Sequence, residues 1–87
     1  MAISGFEWDD DNIFHIKGHE FTPEEVEEVF AGDHKVRRTR QKRYIALGET
    51  LAGRLAFVVF RRLSGGFVRV ITARDMEASE RRLFHRK

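Results

Sequence analysis

The stretch from Gly53 to Arg82, GRLAFVVFRRLSGGFVRVITARDMEASERR, decides how the rest of the chain is read. Leu55 to Phe60 is its longest apolar run, with Leu55, Phe57 and Val59 on one face of a strand and Ala56, Val58 and Phe60 on the other. A strand apolar on both faces is usually central. Ser64-Gly65-Gly66 supplies a turn, and Phe67 to Arg74 alternates again, with Arg69 inside an otherwise apolar face. An arginine placed there must be paired or must look into a cleft. Asp75 then serves as N-cap of a charged helix, with Glu77 in its first turn. Met76, Glu80, Leu83 and Phe84 share that helix's packing stripe, so Glu80 needs a partner, for which Arg54 and Arg74 are the candidates. Glu80 reads either as half of a salt bridge locking helix to sheet or as a carboxylate tuned by arginines inside a site.

Upstream lies Lys35-Val36-Arg37-Arg38-Thr39-Arg40-Gln41-Lys42-Arg43, six basic residues in nine and no acid. It leads into Tyr44-Ile45-Ala46-Leu47, a strand that ends at Gly48. Two short strands near 35–40 and 43–47, or one bent ribbon, both fit. The basic side chains can guard an edge strand against aggregation. They can equally form a phosphate-binding ribbon in which Tyr44 stacks or hydrogen-bonds.

Closer to the N-terminus, residues 3–8 form a short strand, and Asp9 caps a helix that stops near Gly18. His15 and His19 are spaced for one helix face, but no third ligand is evident, so they read as surface or partly packed residues and not as a zinc pair. Thr22-Pro23-Glu24-Glu25 is the clearest helix start, with Thr22 as N-cap, proline in the first turn and Glu25 completing a capping box. Val26, Val29 and Phe30 supply its buried stripe, and Gly32 ends it.

The chain has 87 residues and no cysteine, which excludes disulfides and thiolate metal sites and suits one small domain over residues 1–87. No signal-peptide pattern or membrane-length apolar run occurs, so a soluble, cytoplasmic protein is expected. Net charge is +2, yet residues 1–33 hold ten acids and one base, while residues 34–87 hold fifteen bases and four acids. Such segregation suggests a face built for an anion such as nucleic acid, or two halves that neutralise each other.

Several pieces, in order and nearly end to end, resemble the BrnT family of bacterial type II toxins. They are Phe6-Glu7-Trp8-Asp9 with Asn12, His15 and His19, Thr22-Pro23-Glu24-Glu25-Val26-Glu27-Glu28-Val29-Phe30, Arg43-Tyr44, Gly48, Gly53-Arg54, Ile71-Thr72-Ala73-Arg74-Asp75-Met76 and Glu80-Arg81-Arg82. The resemblance implies a small RelE-like α+β fold, an antiparallel twisted sheet packed by two N-terminal helices and one C-terminal helix. It implies metal-independent RNA cleavage that arrests growth by blocking translation, with no cofactor. It also implies a hetero-oligomer with a BrnA-like ribbon-helix-helix antitoxin that represses the shared operon. Matching the family's charged positions points to Arg43, Arg54, Arg74 and Glu80, with Arg81 nearby. Members often have His-Gly where this chain has His19-Glu20, and many end the last helix in tyrosine where this chain has Phe84.

For such a ribonuclease the 2′-OH of RNA is the nucleophile, and the protein must stabilise a crowded phosphorane. Arg43, Arg54 and Arg74 are assigned to phosphate binding, because the guanidinium fork matches phosphate oxygens. Glu80, or else Lys42, is the candidate base, and His34 the histidine considered as acid. Arg37, Arg38, Arg40, Lys42, Tyr44, Arg69 and Arg81 complete the expected RNA contacts. A non-catalytic module that binds antitoxin or RNA through its basic surface is the alternative, and duplex DNA binding by the basic ribbon a third reading.

Overall fold

A computed structural model describes residues 2–86. Its elements run β1 (Gly5–Glu7), α1 (Asp10–Lys17), α2 (Pro23–Ala31), β2 (His34–Arg38), β3 (Arg43–Glu49), β4 (Leu55–Arg62), a 3₁₀ turn (Ser64–Gly66), β5 (Phe67–Asp75) and α3 (Ala78–His85). The strands form one sheet in the order β1-β5-β4-β3-β2. The doubly apolar β4 is indeed central. Four strands are antiparallel neighbours, whereas the edge strand β1 pairs parallel to β5, Phe6 opposite Val68. The sheet is therefore mixed, a detail that three residues of sequence could not reveal.

Both N-terminal helix starts follow from their caps. Asp9 accepts from the Asn12 backbone N–H at 3.1 Å while the Asn12 side chain accepts from the Asp9 N–H at 2.8 Å. Thr22 and Glu25 do the same at the head of α2. Buried Asn12 also donates through Nδ2 to the carbonyls of Glu7 and Val70, tying α1 to both β1 and β5.

Alternation along the strands gives the sheet two unlike faces. The inner face carries Ala46, Ala56, Val58, Phe60, Val68, Val70 and Ala73, all essentially without exposure, packed against Ile16, Phe21, Val26, Val29 and Phe30 of the α1–α2 unit. Phe30 makes edge contacts with Phe6 at 5.4 Å and Phe60 at 5.0 Å between ring centroids. Each large side chain buried this way contributes about 1.5–3 kcal/mol. Gly48 lets α2 approach the sheet, since a Cβ there would lie 2.7 Å from Val29 Cγ1 and 3.0 Å from His34 Cβ.

Among the described residues the outer face is covered at one end, by α3. Opposed residues cross it in rows: Lys35–Leu47–Phe57–Arg74, then Arg37–Ile45–Val59–Thr72, then Arg43–Arg61–Arg69. The first row lies beneath α3. Leu47 is buried, and Lys35 Nζ donates to the Leu83 carbonyl at 2.7 Å and to the Arg86 carbonyl at the helix end. Among the described residues the other two rows have no helix above them. The start of α3 corrects one expectation: Asp75 is the last residue of β5, and Glu77 is the N-cap. Asp75 is claimed instead by Arg54, which ends the strand two residues before the helix can be capped.

Candidate nucleic-acid interface

The expected catalytic residues divide between the two faces. Arg74 stands on the outer face with its guanidinium 3.9 Å above the Phe57 ring. It donates from Nη1 to Glu80 Oε1 and from Nη2 to Glu80 Oε2, both at 2.8 Å, and Glu80 Oε1 also accepts from the Glu77 N–H at 2.8 Å. The Arg74 guanidinium holds the Glu80 carboxyl below its ordinary range, and the pair in turn raises Arg74. Glu80 is thus bound into a two-point ion pair that docks α3 on the sheet.

Arg54 lies on the inner side, at the rim of the α1–α2 unit. Its Nε and Nη2 donate to Asp75 at 2.7 and 3.3 Å, its Nη1 and Nη2 to the carbonyls of Glu20 and His19, and its guanidinium sits 3.6 Å over the Phe21 ring. Hydrogen bonding to Arg54 lowers Asp75. Arg54 therefore staples the α1–α2 connection to the end of β5. Glu20 in that connection has φ +63, the left-handed conformation, which accounts physically for a glycine being suited to the position.

Arg69 is paired as its position demanded. It donates to Glu7 at 2.9 Å and to Asp9 at 2.8 and 3.3 Å, and its hydrogen bond is the main cause of a lowered Asp9 carboxyl. Every ion pair among the described residues uses Arg54, Arg69 or Arg74. Arg37, Arg38, Arg40, Lys42, Arg43, Arg61 and Arg62 form none among the described residues, and all are exposed.

These carboxylate-free cations gather at one end of the sheet. Arg37, Arg43 and Arg61 border an outer strip floored by the half-buried Ile45, Val59 and Thr72. Arg38 and Arg62 belong to the inner-face parity, where Arg62 lies 5.4 Å from the Tyr44 ring centroid and Tyr44 stacks on Phe60 at 5.6 Å. Arg40 and Lys42 occupy the β2–β3 turn, in which Gln41 and Lys42 both have φ near +60 (+62 and +61) and the Arg43 N–H donates to the Arg40 carbonyl at 3.3 Å. A two-residue turn with both φ positive normally takes Asn-Gly. Here it carries a lysine between two arginines.

The remaining expected residues are accounted for locally. His34 Nδ1 lies 2.8 Å from the Gly32 carbonyl with its ring against Phe30, on the inner side, apart from Arg43. Arg81 donates to the Met76 carbonyl at 2.9 Å. Phe84 lines a groove with Gly32, Glu49 and Leu51, at the end of β3 opposite Arg43. His15 and His19 lie with ring centroids 6.0 Å apart on the α1 side. Sequence reasoning passed over Arg61 and Arg62, although continuing the alternation from Phe57 and Val59 places Arg61 on the outer face.

Acidic α1 and α2 behind a sheet whose open side carries arginines without carboxylate partners among the described residues define the class: a small α+β protein with one basic sheet face. The family follows from sequence comparison. The chain belongs to the family described as "Ribonuclease toxin, BrnT, of type II toxin-antitoxin system", whose model matches residues 8–80. Membership makes it a ribonuclease toxin, with RNA as substrate and a protein antitoxin as partner. Comparison with curated proteins gives no match. Among solved structures it is similar to the Brucella abortus ribonuclease toxin BrnT, at 22% identity and a TM-score of 0.68, over 87% of this chain and 99% of that one. That likeness supports the α+β fold.

Proposed function

We propose that the chain acts as one toxin domain that lays RNA across the open outer face of the sheet and cuts it there without a metal ion. What carries this reading is the distribution of arginines: Arg54, Arg69 and Arg74 hold carboxylates, whereas Arg37, Arg43 and Arg61, which border the bare strip, hold none among the described residues. Clustered like charges repel one another on a solvated surface, whereas a phosphate backbone neutralises them.

In the proposed reaction the 2′-OH gives its proton to solvent as its oxygen attacks the adjacent phosphorus, the bond to the 5′-oxygen breaks, that oxygen takes up a proton from solvent, and a cyclic phosphate remains. Arg37 and Arg43 hold the backbone, and Arg74 offers the edge of its guanidinium not used by Glu80 to the phosphorane. Planar, fixed donors of this kind stabilise developing charge without reorganising. Glu80, its carboxyl already lowered by Arg74, is a weak base and acts by positioning Arg74. Arg54 supports the site from behind by fixing Asp75, the residue next to Arg74.

RNA loss of this kind stops translation and growth in the cytoplasm. Family membership supports a BrnA-like ribbon-helix-helix antitoxin as the neutralising partner. Incubating the purified chain with RNA, with and without excess chelator, tests the reaction. Cleavage that survives chelation and leaves cyclic phosphate ends is expected. Retained RNA binding without cleavage would instead favour the non-catalytic module, and loss of cleavage on chelation would overturn metal independence.

A further inference from the structure

The third row of the outer face sets three arginines side by side on β3, β4 and β5, Arg43 opposite Arg61 and Arg61 opposite Arg69. Directly opposed residues in an antiparallel pair have Cβ atoms about 4.5–5.5 Å apart, and like charges at such positions destabilise the sheet. The row treats its members unequally. Arg69 is neutralised by Glu7 and Asp9. Arg43 and Arg61 face each other with no carboxylate among the described residues, although fourteen acids exist in the chain.

We infer that Arg61 and Arg43 together clamp a single phosphodiester of the RNA, a role that rests on the RNA-binding reading above. Two guanidinium groups projecting from opposed positions can each present a fork to the two non-bridging oxygens of one phosphate, and the shared anion removes the repulsion between them. The site is distinct from that of Arg74. Phe57, opposite Arg74, and Arg61 are four residues apart on β4, about 13 Å at ~3.3 Å per residue. Arg74 is held at its own end by Phe57 and Glu80, so the clamp engages a neighbouring part of the strand while Arg74 serves the reacting phosphate. Ile45 and Val59 lie in the row between them, an apolar floor over which the intervening nucleotide passes.

The test is binding of a non-cleavable 2′-O-methyl single-stranded oligonucleotide by fluorescence anisotropy across a salt series, together with thermal unfolding. The proteins are wild type, Arg61→Ala, Arg43→Ala, the double variant, Arg37→Ala and Arg82→Ala, the last an exposed α3 control. Each single clamp variant should bind about tenfold more weakly, the loss of one charged hydrogen-bonded contact. The salt slope should fall by about 0.7 for that phosphate. The double variant should be little worse than either single one, because both arginines serve the same group. The melting temperature of Arg61→Ala should hold or rise as the repulsion disappears.

Wild-type binding by Arg61→Ala, alongside weakened Arg37→Ala and Arg43→Ala, would overturn the clamp and leave the RNA face standing. Fully additive losses in the double variant would overturn the shared phosphate. If none of the sheet variants differed from Arg82→Ala, the RNA-binding reading itself would fall.

Discussion

Replacing Glu80 by glutamine removes one charge and almost no volume, and its consequences can be worked from the geometry. The Glu80 side chain is 17% exposed and that of Arg74 32%, so their ion pair lies between a surface pair and a buried one. Exposed pairs contribute about 0–1 kcal/mol and breaking a buried one costs about 3–5 kcal/mol. Glutamine still accepts from the Glu77 N–H and from one Arg74 nitrogen, which leaves a loss of about 1–2 kcal/mol at neutral pH. In a domain of this size that lowers the melting temperature by roughly 5–10 °C.

The pH dependence has a definite sign. Glu80 is held below its ordinary value of 4.5 by Arg74, so its stabilisation is complete above that value and disappears as pH falls through the folded-state pKa. Thermal unfolding followed by circular dichroism should show wild type more stable than Glu80→Gln at pH 7, with the two curves converging in acid. A gap that stays constant down to pH 2–3, or no gap at pH 7, would refute the assignment of Glu80 to an Arg74 ion pair.

Arg54→Ala should destabilise by about 2 kcal/mol, read as a fall in denaturation midpoint, because the α1–α2 connection loses its bond to Asp75 and the cover of Phe21. Gly48→Ala should cost more than 2 kcal/mol, since the new methyl meets both Val29 and the backbone of α2. Glu20→Gly should raise the melting temperature, releasing about 0.5–1 kcal/mol of left-handed strain. Replacing Gln41-Lys42 by Asn-Gly should likewise stabilise the β2–β3 turn while weakening RNA binding through loss of Lys42, a trade visible by comparing unfolding with anisotropy.

Local chemistry was legible in the chain because it acts over three or four residues. Thr22, Pro23 and Glu25 announce α2, and the alternation of Leu55 to Phe60 announces the central strand. Pairing is another matter. Arg54 and Arg74 both border strands of the central hairpin; alternation places Arg54 with Ala56, but nothing local shows that Arg74 shares a face with Phe57. Only the register of β4 against β5, with its irregularity between Val59 and Phe60, sends them to opposite faces. Asp75 looked like a helix cap because capping is a local signal, whereas its partner Arg54 is twenty-one residues away. The same blindness hid Arg61, whose meaning depends on Arg43 opposite and on the carboxylates that neutralise Arg69 but reach neither of them.

The sequence did carry the bulk charge segregation, and the fold turns it into geometry. Helices α1 and α2 bring their acids to one side, and β2 to β4 bring Arg37, Arg43 and Arg61 to the other. That bases outnumber acids fifteen to four over residues 34–87 was already countable; where the surplus collects was not.

The most direct measurement is a nuclear magnetic resonance titration of the isotopically labelled chain with a non-cleavable 2′-O-methyl single-stranded oligonucleotide. Shift changes should concentrate on the outer strip, at Arg37, Arg43, Ile45, Val59 and Arg61, and leave the exposed faces of α1 and α2 untouched. Changes centred on Glu24 and Glu27 of α2, or none along β3 and β4, would contradict the placement of RNA on the open face of the sheet.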